Sequence, residues 1–442
     1  MDLGKIENYI LAGLKLKYFK ENEMKQKILV RGPCLTQSGY GEHTRMILRA
    51  LKTRQDIYDI YIVPVGWGMT GWQHEISEER EWLDQVINKT QQYIATKGPF
   101  DISIQVSIPN EWQKLAPINI GVTAGIETTK VSFEWIQAAN SMDKIIVTSE
   151  HAKQVFLNTR YEAIQEPTGN TVEVKVVTPI EVVGYPAVLK NPKVDLNLKL
   201  HNDFNYIFVG QWGPRKNVDN MLKWWLEENW SEPVGLVLKV SHAKNNLFDK
   251  NHTIKRINHI CSTIDLGEDE RECKLYLIHG DMSQNEINSL YFHPKIKCMI
   301  STSHGEGFGL PLFDFAQTGK PVIATGWSGH LDFLSVPPSK GKKKKTNPHL
   351  MVSYDLSPVQ QNAVWDGVIV KDSMWAFPHA GSFKHRIKQV RKNKKWFDRA
   401  EEHASYIKTE FSEGLIYDKF CNSLRLENQG QDSFEDEYEI IL

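Results

Sequence analysis

The chain has 442 residues, of which 24% are charged and 41% hydrophobic, and its formal net charge is −1. This length favours two globular domains, and the charge gives no overall electrostatic case for binding nucleic acid or a membrane surface. Five cysteines without a Cys-x-x-Cys pair indicate reduced thiols, and no stretch reads as a signal peptide or a membrane span. We therefore expect a cytoplasmic protein.

The N-terminal part of the chain is predicted to be a helical extension followed by the first strand. Residues 1–24 repeat apolar side chains at helical spacing, which favours an accessory helix over a membrane anchor. Residues 27–33 form a strand, and Gly39, Tyr40 and Gly41 then lead into a helix from about residue 42. Glycines at this point suit a ligand approaching the backbone, but a tight turn explains them equally well.

The rest of the first half alternates strands and helices, which predicts a parallel α/β sheet. Strands are expected at 57–65, 100–108, 118–123 and 144–148, with helices at 77–95 and from 149 onward. Glu127 lies just beyond the strand at 118–123, where a carboxylate either serves the acceptor side of a site or caps a helix. We assign residues 25–195 to the first domain, with a polar, turn-rich segment at 163–174.

The second half begins again with a strand at 206–209, which opens a second domain at 203–404. Gly210, Arg215, Lys216 and Asn217 follow this strand before the next helix. A glycine turn with two cations at a helix start suits a diphosphate, although a solvated helix start is the alternative. Lys239 lies within an apolar strand, where a lysine is costly unless it finds an anion, and we assign it to the same phosphates.

The most informative stretch is Ser-His-Gly-Glu-Gly-Phe-Gly-Leu-Pro-Leu-Phe-Asp at 303–314. A buried strand precedes it, Leu310 and Pro311 begin a helix, and the next strand is expected at 322–325. Three glycines occur within five residues, which lets a ligand approach the backbone closely. The main-chain N–H groups at such a helix start bind anions, phosphates above all. Glu306 and Asp314 place two carboxylates at this loop, which predicts a ligand cleft beyond the carboxyl ends of the strands.

This stretch resembles the Glu-x7-Glu motif of retaining GT-B glycosyltransferases, most closely glycosyltransferase family 4. That family typically continues with Gly-Lys-Pro-Val-Ile-Ala, as residues 319–324 do here. Asp314 replaces the second Glu of the motif, and Gln211 stands where the family usually has arginine, a charge that Arg215 can supply. The resemblance is strong from about residue 205 to 335. It implies a GT-B fold, in which two Rossmann-like parallel-sheet domains face an interdomain cleft.

The resemblance also implies roles for individual residues. Glu306, Lys216 and Lys239 are the expected catalytic residues. The expected donor-binding residues are Gly210, Arg215, Asn217, Gly307, Phe308, Gly309, Leu310 and Asp314. Gly39, Tyr40, Gly41 and Glu127 are placed on the acceptor side of the cleft. Residues 326–333 are expected to approach the cleft, and residues 382–410 are expected to be helical. A helix at about 405–426 is expected to return to the first domain, before an acidic tail at 427–442.

The expected activity is transfer of a sugar from a nucleotide-sugar donor to an unidentified glycan, lipid, protein or modified nucleic acid. The chain contains no Asp-x-Asp, so we expect no metal and no further cofactor. One alternative is a non-catalytic GT-B-like protein that binds nucleotide-sugars or glycans. Another is a glycosyltransferase acting on DNA, for which the only support is the lysine cluster at 340–345.

Overall fold

The computed structural model describes residues 25–165, 170–264, 270–337 and 347–425. The expected N-terminal helix, the lysine cluster at 340–345 and the acidic tail lie outside these residues. In the described part of the chain, no helix is both long and apolar enough to cross a bilayer. All five cysteines are free thiols.

The first half of the chain forms a six-stranded parallel sheet with the order β2-β1-β3-β4-β5-β8. Helices cover it, and every residue of β3 is buried. The polar side chains on the central strands are hydrogen-bonded, as Ser103 Oγ is to Asn119 Oδ1 of β4 at 2.8 Å. The strands are β1 (Gln26–Gly32), β2 (Tyr58–Pro64), β3 (Ile102–Val106), β4 (Ile118–Thr123), β5 (Lys144–Val147) and β8 (Ile180–Val182). The helices are α1 (Gly39–Lys52), α2 (Glu78–Ala95), α3 (Phe133–Asn140) and α4 (Glu150–Asn158).

The second half forms another six-stranded parallel sheet, with the order β11-β10-β9-β12-β13-β14. Renumbered within the domain this is 3-2-1-4-5-6, the order of a doubly wound dinucleotide-binding sheet. The strands are β9 (Asn205–Gln211), β10 (Gly235–Ser241), β11 (Lys274–Ile278), β12 (Ile296–Ser301), β13 (Val322–Thr325) and β14 (Leu350–Val352). The helices are α5 (Val218–Asn229), α6 (Leu247–Ser262), α7 (Gln284–Phe292), α8 (Leu310–Ala316) and α9 (Leu331–Leu334).

The structure departs from the sequence-based expectations in three segments. The polar segment at 163–174 belongs to an antiparallel hairpin of β6 (Tyr161–Gln165) and β7 (Asn170–Val174). A second hairpin, β15 (Tyr354–Pro358) with β16 (Met374–Pro378), had not been predicted. The single helix expected at 382–410 is two helices, α10 (Ala380–Lys392) and α11 (Lys395–Glu410), because the backbone of Asn393 is extended.

The end of the described chain returns to the first domain. Helix α12 (Glu413–Ser423) packs against α1, and it contributes Ile416 and Phe420 to the same hydrophobic core as β1 and β3. The core of the first domain is therefore built from the two ends of the described sequence, and the chain crosses between the domains twice.

Candidate active site

The candidate site lies where the strand order of the second sheet reverses, between β9 and β12. The loops that leave these two strands at their carboxyl ends run to opposite sides of the sheet, and such a switch point is where doubly wound sheets bind ligands. The turn Pro214–Lys216 follows β9, and Glu306 follows β12. The fold thereby brings Lys216 and Glu306 into contact although they are 90 positions apart in the chain.

Four charged side chains form one ion cluster at this point. Lys216 Nζ lies 2.5 Å from Glu306 Oε1, and Arg215 Nη1 donates to Glu306 Oε2 at 2.8 Å. Arg215 Nε also lies 3.3 Å from Glu127 Oε1, so the guanidinium joins a carboxylate of each domain. Two cations and two carboxylates balance in charge. An incoming diphosphate would therefore compete with both carboxylates for Arg215 and Lys216.

Glu306 is ionised in this cluster. Its residue surface is 5% exposed, and burial alone would raise the pKa of its carboxyl. Lys216 and Arg215 outweigh that effect by charge and by hydrogen bonding, and they hold the pKa well below its ordinary value. The carboxylate is therefore an acceptor of hydrogen bonds at neutral pH rather than a donor of protons.

Asn217 braces the two loops of the site against each other. Its backbone is left-handed, with φ 53°, and it ends the turn that carries the two cations. Its side-chain Nδ2 donates to Thr302 O at 3.2 Å, and Thr302 Oγ1 donates to Asn217 O at 3.3 Å. Asn217 is therefore hydrogen-bonded to the loop after β12, and it is buried, with 7% of its surface exposed.

The glycine loop after β12 lies directly against the first domain. A Cβ on Gly305 would be 2.5 Å from Glu127 O, and one on Gly307 would be 2.5 Å from Ala124 O. Glycine is thus required at both positions by the neighbouring domain, whereas we had expected close approach of a ligand to explain it. Gly309 has φ 95° at the start of α8. Among the described residues, the N–H groups of Gly307, Phe308 and Gly309 have no acceptor.

The remaining motif residues lie on the protein side of this loop. The Phe308 ring is buried between Tyr185 and Phe333, with centroids 4.9 Å away in each case, so only its main chain can serve a ligand. Leu310 packs against the same apolar cluster. Asp314 is half-buried in α8, where burial, and to a smaller extent Glu42, raises its pKa to about 7. The two motif carboxylates therefore differ in charge state near neutral pH.

Lys239 does not join the ion cluster. Its Nζ donates to Gly280 O at 2.6 Å, so a carbonyl, rather than an anion, is its partner in the structure. Burial lowers its pKa. Gly210, at the end of β9, lies under the Lys216 side chain, because a Cβ there would be 3.7 Å from Lys216 Cε. Gln211, which stands where the resemblance predicts an arginine, donates to His242 O at 2.8 Å. The arginine that contacts Glu306 is instead Arg215.

On the first domain, Gly39, Tyr40 and Gly41 belong to the first turn of α1, which begins three residues earlier than expected. Ser38 caps the helix by accepting from Gly41 N, which draws the expected glycine loop into the helix. Tyr40 Oη is hydrogen-bonded to Thr123 Oγ1 at 2.8 Å and accepts a second hydrogen bond from Ala124 N. The Tyr40 ring stacks on the Trp67 ring, with centroids 4.1 Å apart. Tyr40 thereby ties α1 to the loop that carries Glu127.

Sequence reasoning missed two residues that hold Glu306 in place. Its main-chain N–H donates to Ser328 Oγ at 2.8 Å, and its carbonyl accepts from Gly329 N at 2.9 Å. We had expected the segment after β13 to approach the cleft, without assigning either residue to Glu306. The signal available in the sequence was the glycine next to Ser328, since a Cβ on Gly329 would lie 2.0 Å from Gly307 O.

Comparison with known proteins gives structural similarity only. No protein-family model and no curated protein sequence matches the chain. A sucrose-phosphate synthase from Thermosynechococcus elongatus aligns with a TM-score of 0.59 at 14% identity, over 90% of this chain and 98% of its own. A UDP-forming trehalose-phosphate synthase from Burkholderia xenovorans aligns with a TM-score of 0.57 at 12% identity, over 91% of this chain and 99% of its own. Anabaena HepE, solved in complex with UDP and glucose, aligns with a TM-score of 0.54 at 13% identity, over 90% of this chain and 99% of its own.

These alignments extend over nearly the whole of each neighbour and thus include both sheets. Together with the two six-stranded parallel sheets, they confirm the expected two-domain GT-B fold. At identities this low they establish the fold alone, so the activity has to be argued from the residues of the site.

Proposed function

We propose that the chain is a glycosyltransferase that moves a sugar from a nucleotide-sugar donor to an acceptor that is still to be identified. The ion cluster of Arg215, Lys216 and Glu306 at the switch point of the second sheet carries this proposal. It places two cations beside an ionised carboxylate where the loops of the two Rossmann-like domains meet, and such cations suit a diphosphate. HepE has been solved with UDP and glucose, which makes a UDP-sugar the first donor to test.

The proposed chemistry is electrostatic. When the sugar leaves its nucleotide, negative charge develops on the β-phosphate of the leaving group. Once the bound diphosphate has displaced their carboxylate partners, Arg215 and Lys216 would be held against the phosphates and would stabilise that charge as it develops. The N–H groups of Gly307 and Gly309 would add fixed dipoles. The Glu306 carboxylate, released from the cations by the diphosphate, would accept hydrogen bonds from the sugar hydroxyls.

Several finer features belong to the same proposal. Asp314 would contact the donor ribose, and Lys239 would reach the phosphates by exchanging Gly280 O for an anion. Glu127 and Tyr40 would face the acceptor. The family resemblance further suggests retention of anomeric configuration and membership of family 4. We also propose that the two cations take the place of a metal ion, and that the protein acts in the cytoplasm.

Binding without turnover is the second candidate. Two departures from the family motif support it: Gln211 stands where the family usually has arginine, and Asp314 replaces the second Glu. Hydrolysis or transfer of a nucleotide-sugar separates an enzyme from such a binding protein. Transfer to DNA has no support among the described residues, since the lysine cluster at 340–345 lies outside them.

The test is thermal stabilisation by UDP, ADP and GDP and by their hexose conjugates, for the wild type and for Lys216→Ala. A ligand at a hundredfold its dissociation constant stabilises by about 2.7 kcal/mol. Loss of one charge-assisted hydrogen bond costs about 1.5–3 kcal/mol, so Lys216→Ala should weaken binding at least tenfold. Measurements in EDTA test the absence of a metal at the same time.

The matched control is Lys223→Ala, which removes a lysine whose side chain is 48% exposed on the neighbouring helix α5. It should bind as the wild type does. Absence of stabilisation by every nucleotide would refute the donor site. Equal stabilisation of the wild type and Lys216→Ala would place the nucleotide away from the ion cluster.

A further inference from the structure

The main chain of Glu306 is held from two sides by a third element of the site, the segment after β13. The N–H group of Glu306 donates to Ser328 Oγ at 2.8 Å, and its carbonyl accepts from Gly329 N at 2.9 Å. This segment contributes no charge to the ion cluster. Its contact with Glu306 is with the peptide groups on either side of the residue that bears the carboxylate.

Ser328 holds this position in a strained conformation. Its φ is 85°, a region that residues other than glycine rarely adopt, and its surface is 5% exposed. Backbone strain of this kind persists where the surroundings over-determine it, often at functional sites. A glycine would take up the same backbone without the strain, so the serine is distinguished by its hydroxyl.

His330 fixes the direction of that hydroxyl. His330 Nε2 lies 2.7 Å from Thr325 O, which can only accept, so Nε2 carries the proton and Nδ1 of the neutral ring is an acceptor. Ser328 Oγ lies 3.5 Å from Nδ1 and donates to it, which leaves its lone pairs for the N–H group of Glu306. Burial lowers the pKa of His330, and this favours the neutral ring.

The importance of this arrangement appears when a donor binds. In the structure, Lys216 and Arg215 hold the Glu306 carboxylate directly. A diphosphate that takes both cations removes these partners, and the position of Glu306 then depends on its main-chain anchors. Those anchors are Ser328 and Gly329.

We propose that Ser328, oriented by His330, is a positioning residue that keeps the Glu306 carboxylate directed at the donor sugar once the cations have turned to the diphosphate. This role rests on the proposed function. The hydroxyl acts on the sugar and not on the nucleotide, because among the described residues Ser328 Oγ reaches the ion cluster through Glu306 alone. Removal of the hydroxyl should therefore weaken a nucleotide-sugar more than the free nucleotide.

Ser328→Gly is the decisive variant, since it deletes the hydroxyl and also relieves the positive φ. Dissociation constants for UDP and UDP-glucose are measured by calorimetry, with ADP-glucose and GDP-mannose as further probes. UDP affinity should stay within about twofold of wild type, and UDP-glucose should bind at least fivefold more weakly. In a Glu306→Gln background, Ser328→Gly should change UDP-glucose affinity by less than twofold, because the residue it positions has lost its charge.

The control is Ser335→Gly, which removes another buried hydroxyl, bonded to Asn347 Oδ1 at 3.0 Å, from the same region. It should affect unfolding temperature without separating the two ligands. Equal losses for UDP and UDP-glucose in Ser328→Gly, or additive effects with Glu306→Gln, would overturn the positioning role. If the wild type binds none of the probes, the proposed function fails as well. If Glu306→Gln weakens UDP-glucose and Ser328→Gly does not, only the positioning role fails.

Discussion

The bridge between Arg215 and Glu127 predicts that removing one carboxylate will improve nucleotide binding. Arg215 Nε lies 3.3 Å from Glu127 Oε1, and a diphosphate must displace this partner before it can take the guanidinium. Glu127→Gln keeps the size of the side chain and removes its charge. The free cation should then be available to the ligand without competition from the first domain.

The size of the effect follows from distance and exposure. At 3.3 Å and an effective dielectric constant of about 20, the direct Coulomb attraction is about 5 kcal/mol. The side chains are 29% and 22% exposed, so solvent screening and the desolvation of both ions offset most of it. Pairs of this kind contribute about 1 kcal/mol net. UDP should therefore bind about fivefold more tightly to Glu127→Gln than to the wild type.

Calorimetric titration with UDP measures this directly, and Glu134→Gln, an exposed glutamate on α3 of the same domain, is the control. Increasing the salt concentration should reduce the difference between Glu127→Gln and the wild type. An unchanged or weaker affinity would show that Glu127 does not compete for Arg215. If Glu127 also serves the acceptor, sugar transfer will fall in the variant while UDP affinity rises.

Two further predictions concern stability. Burial raises the Asp314 pKa from 3.8 to about 7, so between these pH values the folded chain retains a proton at Asp314 that the unfolded chain loses. The contribution of Asp314 to the free energy of unfolding is therefore fully present below about pH 4 and is lost as the pH rises towards 7. Asp314→Asn should therefore raise the unfolding temperature more at pH 8 than at pH 5, and equal shifts at both pH values would refute the raised pKa. Phe420→Ala should cost about 3–5 kcal/mol because the ring is fully buried in the first-domain core. Leu415→Ala, at a 55% exposed position of the same helix, should be almost neutral in calorimetric unfolding, and similar losses for both would contradict the packing of α12.

Local patterns in the sequence were sufficient for the sheets. Strands β4 and β13 were predicted to the residue, since each short run lies between a proline before it and a glycine after it, which leaves little freedom at either end. The hairpin of β6 and β7 was missed because its residues are largely exposed and show no buried face. The break at Asn393 was missed because no proline or glycine marks it.

The site was predictable in its composition and less so in its contacts. Glycines, cations and a carboxylate after β9 and β12 carried the prediction, because parallel strands bring their carboxyl ends to one edge. The partner of Lys239 is a carbonyl brought in from another loop, and the Phe308 side chain is core. For Ser328 the neighbouring Gly329 was the one local signal. The positive φ of Ser328 and its bond to a residue 22 positions away depend on the folded chain and cannot be derived from nearby residues.

The return of α12 to the first domain has a consequence for synthesis on the ribosome. The apolar face of α1 acquires its covering only when Ile416 and Phe420 have been translated, close to the end of the described chain. Domains usually fold in order as they emerge, N-terminal first. Here the first domain emerges early with part of its core exposed and is completed after the second domain has been made. Truncation within the last described helix should therefore damage the domain that was synthesised first.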